Sequence, residues 1–543
     1  MGKKGDIIGL EFLVLTFIYT LGGVLMSHIA IKDIYAGMPD AKDEINTKQA
    51  DKFFASFVIP PALPIDELLN GTKFIVSGYK GVGKTSVLYY LQDRIRTQDS
   101  SACTSFIYFK SDFEEVKKSN MESVALKLTS LIDLSGDIQP NKVEYLHIWR
   151  WVIFKQIVDD SETYSNNLFE EDENWEKFFK TVNRISFSSE NKRAISLSSL
   201  CVEMQVSPSS GISVSGKALL ERVSKSENAF RKLINIVDEC ERLFKKLKRT
   251  DIPYYIFIDE MEAYYGDSDL FKRDLELIRD LLFTVHRING FGQVHIIAAT
   301  RNEITYAMDR FIQTRELNKI LDGFSVHINW SYSNTTSYEH PIIKVLMKRI
   351  AVANQGREPM FEDWFPRKIY GKDTIHYILD NSWHKPRDIV RLLTAAQNDS
   401  LHCTDTVFTQ ATFDALKKEY SRKSLAEIRQ ELQSLYTSDE IEIIIRLLRG
   451  GPGIVTPEDI RKRAQKGSIA RQLWDERHEE ILEDLYRVGF WGNVKRSKSG
   501  YLWRWNHKGD TGVLVVDGWE LAIHSALCSE LSINYKDRSF YEN

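Results

Sequence analysis

One short stretch constrains this chain more than any other. Residues 72–91 read TKFIVSGYKGVGKTSVLYYL. Phe74, Ile75 and Val76 form an apolar run with strand character, and residues 86–95 have helical spacing. Between them lies Gly78-Tyr79-Lys80-Gly81-Val82-Gly83-Lys84-Thr85, a full match to GxxxxGK[ST], with Ser86 opening the helical stretch. The order strand, glycine loop, helix is the context this phosphate-binding motif requires. Glycines at 78, 81 and 83 let the backbone turn tightly and aim its N–H groups at phosphate oxygens. The helix that follows adds its positive end. Lys84 is expected to reach the β- and γ-phosphates, and Thr85 to place its hydroxyl on Mg²⁺.

A second half-site follows from the same chemistry. Residues 253–260 read PYYIFIDE, an apolar, β-rich run ending in Asp259 and Glu260. Such a run fits a buried parallel strand. Asp259 at its carboxyl end is the expected metal holder, and Glu260 the group that polarises an attacking water. Glu262 reads as a solvated carboxylate. Guanine specificity is disfavoured: the acidic strand gives Asp259-Glu-Met-Glu262 rather than DxxG, and Asn318-Lys-Ile-Leu-Asp322 has the wrong spacing for NKxD. ATP with Mg²⁺ is the expected ligand pair.

Two later stretches complete the pattern. Residues 294–302, VHIIAATRN, read as a third buried strand with a polar exit, after a helix over 270–287. Residues 383–393 read WHKPRDIVRLL. Together with the loop and the acidic strand, these resemble the AAA+ and STAND group of P-loop ATPases, especially its origin-recognition-like branch. The resemblance covers about residues 54–396. It implies a nucleotide sensor at Thr300 or Arg301 and a second at Arg387, where a lid arginine touches the γ-phosphate. A cation on a separate lid makes lid position depend on that phosphate. The resemblance also implies a homo-oligomer, with Arg301, Arg310 and Arg315 as alternatives for an arginine finger. One departure stands out. Roughly 170 residues separate Lys84 from Asp259, so the core carries a large insertion at about residues 120–250.

The expected fold class is α/β: a P-loop NTPase parallel sheet with a helical lid, a large α+β insertion and a C-terminal winged helix. The core is expected over 33–335, the lid over 336–405, and a linker helix with the winged-helix-like domain over 406–543. In the insertion, 121–132 and 143–158 have helical spacing. The second carries Tyr145, Trp149, Trp151 and Phe154, an aromatic stripe of the kind that forms core. Residues 161–173 are polar and acidic and read as an exposed loop. Alternation over 195–206, the turn signal Ser207-Pro-Ser-Ser-Gly211 and residues 212–215 read as a projecting β-hairpin. A helix over 228–248 leads back to the acidic strand. The lid reads as helices over 338–354 and 373–398.

In the last third, three helices precede a hairpin formed by 490–494 and 501–505. Its tip carries Lys495, Arg496 and Lys498, and the second helix carries Arg461, Lys462, Arg463 and Lys466. These cations suit phosphates. The third helix is acidic, with Asp475, Glu476, Glu479, Glu480, Glu483 and Asp484, and a DNA backbone repels such a helix. A protein partner and DNA are therefore both open for this domain. Trp503 and Trp505 fall on one strand face and read as packing.

Composition sets the outer limits. The chain has 543 residues with 76 acidic and 72 basic side chains, a net charge of -4, so no global basic field marks a nucleic-acid binder. Five widely spaced cysteines give no CxxC pair, and the 12 histidines are scattered. Residues 7–31, IIGLEFLVLTFIYTLGGVLMSHIAI, would form a helix about 37 Å long against a hydrocarbon core of about 30 Å. Residues 1–32 are thus expected to be a single transmembrane or buried helix. A signal peptide, or a start at Met26 or Met38, competes with that. Cytosolic ATP places the bulk of the chain in the cytoplasm, with residues 7–31 as a tether to the inner membrane. The expected function is an ATP-driven switch in bacterial signalling or antiphage defence, working with a protein partner or an operon-encoded effector. A DNA-binding replication or transposition-type ATPase is the alternative, and a non-hydrolysing assembly scaffold a third reading.

Overall fold

Five strands form the central sheet of the computed structural model: β1 (Ile75–Gly78), β2 (Cys103–Tyr108), β3 (Tyr254–Asp259), β4 (His295–Arg301) and β5 (Ser325–His327). The structure describes residues 29–533 apart from 134–144, 165–167, 188–193, 199–215, 266, 313–314, 332–336, 499 and 512–514. All strands are parallel, in the order β2-β3-β4-β1-β5. Every residue of β3 is buried, as a strand covered on both faces requires. β4 lies between β1 and β3, so the carboxyl ends of all three, Gly78, Asp259 and Arg301, open on one side. In open parallel sheets that side is where ligands bind.

The insertion between β2 and β3 is mainly helical: Glu115–Asp133, Leu146–Thr163, Glu173–Val182 and Gly216–Phe244. The aromatic stripe is core, and the Trp149 indole donates to the Leu277 carbonyl (3.0 Å) on the helix Ser268–Asn289. The expected loop over 161–173 is corrected. The preceding helix runs to Thr163, and Leu168 and Phe169 are buried, with Phe169 stacked on Trp175. Most of the expected hairpin lies outside the described residues. Its first two residues, Ile195–Ser196, pair in parallel with Ile185–Ser186.

A helical domain follows the sheet. The single helix expected over 373–398 is two, Thr374–Asp380 and Pro386–Gln397. Pro386 disfavours helix at the preceding residue, and His384 takes a left-handed φ of 53°. Helices Gln410–Leu432, Ser438–Leu448, Pro457–Ala464 and Ser468–Arg487 come next. The expected hairpin is Trp491–Ser497 with Gly500–Arg504, and Glu520–Ile523 and Ile454–Val455 extend it to a four-stranded antiparallel sheet. Trp505 is buried in this sheet against Gly492, where an added Cβ would lie 2.5 Å from the indole.

Residues 1–28 of the expected N-terminal span lie outside the described residues. Ile31 is buried against the helical domain and begins a 3₁₀ turn, with backbone bonds from Ile31 to Asp405 and from Lys32 to Cys403 (both 2.8 Å). Among the described residues, no helix is long and apolar enough to cross a membrane.

Candidate functional site

The glycine loop is built as a cradle. Gly81 and Gly83 take φ of 81° and 93°, backbone that a side chain would strain. Gly83 caps the helix Lys84–Gln98, which starts two residues earlier than the spacing suggests. The Lys84 ammonium is buried and donates to the carbonyls of Gly78 (2.8 Å) and Tyr79 (2.9 Å). Burial pushes its pKa down to about 7, with Glu303 pulling the other way. Tyr79 points away from the cleft: its hydroxyl accepts from the Asn506 amide (3.0 Å) and lies 3.4 Å from that of Tyr306.

The acidic end of β3 faces this loop. Asp259 is buried, with a hydrogen bond from the Thr85 side chain. Its Oδ2 has no hydrogen-bond partner among the described residues. Burial raises its pKa, and the Thr85 bond opposes that. Glu260 adopts φ of 57°, a conformation that costs a non-glycine residue about 1–2 kcal/mol. Its Oε1 accepts from Lys42 Nζ (2.6 Å) and its Oε2 from the Ser111 amide (3.1 Å) and hydroxyl. Glu262 is not simply solvated. It pairs with Arg301 and with Lys110 (3.3 Å), and these cations hold its carboxyl below the usual range against the effect of burial.

The side facing the loop and the strand ends comes from the helical domain. The Arg387 amide donates to the Gly81 carbonyl (3.4 Å), and its side chain packs against Gly81, where an added Cβ would lie 3.0 Å from the Arg387 Cβ. Behind it, on Gln410–Leu432, Glu431 is buried and Glu427 partly buried. Glu427 pairs with Arg391 and lies 3.8 Å from Arg387, and Glu431 pairs with Lys385 (2.9 Å). Lys80 reaches Gln430 on the same helix (2.5 Å).

These pieces line an open cleft of about 100 Å³. Of the expected site residues, Lys80, Gly81, Gly83, Lys84, Thr85, Ser86, Asp259, Glu260, Arg301 and Arg387 line it. Gly78, Tyr79 and Val82 sit in the loop without lining it. Thr300 and Arg301 alternate on β4, so Arg301 faces the cleft. Thr300 is fully buried beneath, its hydroxyl without a partner among the described residues.

Sequence reasoning missed several lining residues. Met38, Pro39, Asp40, Ala41 and Glu44 come from the segment before the sheet, and Arg349 from Pro341–Ala353. None belongs to a motif. The one local signal was Asp40, whose side chain caps Ala41–Glu44.

Two other readings change. Arg310 pairs with Asp484 (3.0 Å) and Glu480 of Ser468–Arg487, so it joins the core to the C-terminal region of its own chain. The Arg315 side chain lies outside the described residues. The histidines scattered in sequence converge in space: His340–His384, His384–His507 and His507–His524 have ring centroids 4.8, 5.3 and 5.4 Å apart. Burial lowers the pKa of all four. Among the described residues, no group of three or more His, Cys, Asp or Glu could hold a metal ion.

Comparison with known proteins bears on one part of the chain. Residues 341–429 match the FunZ-associated C-terminal helical domain. The match runs from Pro341–Ala353 through most of Gln410–Leu432 and leaves the parallel sheet and glycine loop outside it. No curated protein matches the chain.

Proposed function

We propose that this protein is an ATP-binding and ATP-hydrolysing switch of the AAA+/STAND P-loop type. One observation carries the reading. Segments far apart in sequence, holding Gly81 to Ser86, Asp259 with Glu260, Arg301 and Arg387, line one cleft at the carboxyl ends of a parallel sheet. The loop amides and Lys84 bind the phosphates. Arg301 and Arg387 face the cleft as cations for the γ-phosphate. Glu260 polarises the attacking water and takes up its proton. Thr85 and Asp259 suit Mg²⁺: a hydroxyl beside a buried carboxylate with one unpartnered oxygen is a hard-oxygen donor pair. The metal, when bound, neutralises phosphate charge. Arg387 and Lys80 tie the cleft to Gln410–Leu432, so nucleotide state passes through that helix to the C-terminal region, which has winged-helix character.

We place the switch in bacterial signalling or antiphage defence, as a homo-oligomer acting with a protein partner or operon-encoded effector. The FunZ-associated match is the comparison that bears on this context. The DNA-acting alternative draws on exposed Lys495, Arg496 and Lys498. Against it, Asp475, Glu476 and Glu479 are exposed on the third helix.

Calorimetric titration of the full chain with ATP and Mg²⁺ tests the binding step. Wild type binds, and Lys84→Ala binds about 100-fold more weakly, the scale of losing one partner of a buried charge pair. Equal binding by the two would remove the loop from the account.

A further inference from the structure

The stretch Ala36 to Glu44 enters the cleft beside groups that the proposed reaction uses. The Pro39 carbonyl accepts from Arg387 Nε (3.2 Å) and Nη2 (3.0 Å). Three residues on, Lys42 Nζ lies 2.6 Å from Glu260 Oε1. The Ala36 carbonyl and the Glu44 carboxylate hold Arg349 of the helical domain. One short segment thus grips the candidate base and the candidate lid sensor together.

Lys42 is itself well fixed. Its ammonium stands 3.6 Å from the centroid of the Tyr108 ring and 3.3 Å from Ser111 Oγ. Ser111 takes the other Glu260 oxygen, through its amide and its hydroxyl. Both carboxylate oxygens therefore already accept from protein donors. A general base must accept a hydrogen bond from the water it activates, and of the carboxylate's roughly four lone-pair sites these donors take two on Oε2 and one on Oε1, the last with the Lys42 cation. The Lys42 and Glu260 side chains keep 25% and 20% of their exposure. The pair is reached by solvent, and breaking it does not strand a fully buried charge.

We propose that Lys42 is a positioning residue that withholds Glu260 from water, and that residues 38–44 form a strap coupling release of Glu260 to movement of Arg387. The inference rests on the ATPase reading. When Arg387 turns to a γ-phosphate, it leaves the Pro39 carbonyl, the strap loses an anchor, and Lys42 is drawn off Glu260. Turnover of the resting chain is then limited by strap release.

The test is steady-state phosphate release by the full chain, with ATP binding measured in parallel. Lys42→Met raises kcat about fivefold or more, the lower range of allosteric couplings, and leaves KM nearly unchanged. Lys42→Gln, which keeps a polar side chain of similar reach if the Met variant folds poorly, moves kcat the same way. Lys42→Arg keeps the cation and returns kcat close to wild type. The double variant Lys42→Met with Glu260→Gln is as slow as Glu260→Gln alone, because the strap acts through the base. Unchanged or lower kcat in Lys42→Met and Lys42→Gln that still bind ATP overturns the strap while leaving the ATPase reading standing. Wild type with neither ATP binding nor turnover overturns both.

Discussion

The cleft has two walls of different origin. One is made by the ends of β1, β3 and β4 and the glycine loop. The other is made by the strap and the helical domain. The first is written in contiguous motifs, and its groups are fixed by backbone geometry: left-handed glycines, a helix start, adjacent strand ends. The second is assembled from side chains that reach backbone carbonyls across several hundred residues, Arg387 to Pro39 and Arg349 to Ala36. The first wall is fixed in place. The second can let go, because its contacts are individual hydrogen bonds and ion pairs. A switch needs both kinds, and the difference predicts how each responds to substitution.

The largest effect is expected on the motif wall. Asp259→Asn keeps the shape and removes the charge that suits Mg²⁺. The Mg²⁺-dependent part of ATP affinity should fall about 10- to 100-fold, the scale seen when a metal site loses a supporting group. Titrations with and without Mg²⁺ read this directly. Loss of affinity to the same extent without Mg²⁺ would separate Asp259 from the metal.

The second wall should respond more mildly. Arg387→Ala removes charge-assisted hydrogen bonds and should weaken ATP binding about tenfold, with ADP binding little changed. Comparing the two nucleotides in one assay checks this. Equal loss for both would mean that Arg387 supports the loop and does not read the γ-phosphate.

The smallest expected effect is a pH slope. Burial holds the Lys84 pKa at about 7, and phosphate binding requires its ammonium form. Above pH 7 the free protein therefore takes up a proton as it binds, so affinity falls as pH rises from 7 to 9, by under tenfold per unit. Lys84→Arg, whose side chain stays charged throughout, should flatten the profile. A profile of wild type that stays flat would show that Lys84 is already protonated in the free protein.

What could be read in the sequence follows the same division. β1, its loop and helix, β3 with its two carboxylates, and β4 were legible because each is one local run with one period. β5 was not, since its three residues carry too short a pattern and depend on pairing with β1. The break at 381–385 had a signal in Pro386 that helical spacing over 373–398 obscured. Ser111 and Lys42 gave no sign at all. Serine and lysine are ordinary surface residues, and only the fold brings them to Glu260. The His340, His384, His507 and His524 group is of the same kind, spread over 184 positions and joined by packing.

The central claim is that this cleft hydrolyses ATP with Glu260 as base. The most direct measurement is phosphate release by purified full chain, wild type against Glu260→Gln, with ATP binding confirmed for both. The account predicts turnover in wild type and a loss of about 10²- to 10⁴-fold in the variant at unchanged affinity. Equal phosphate release from both proteins would contradict it.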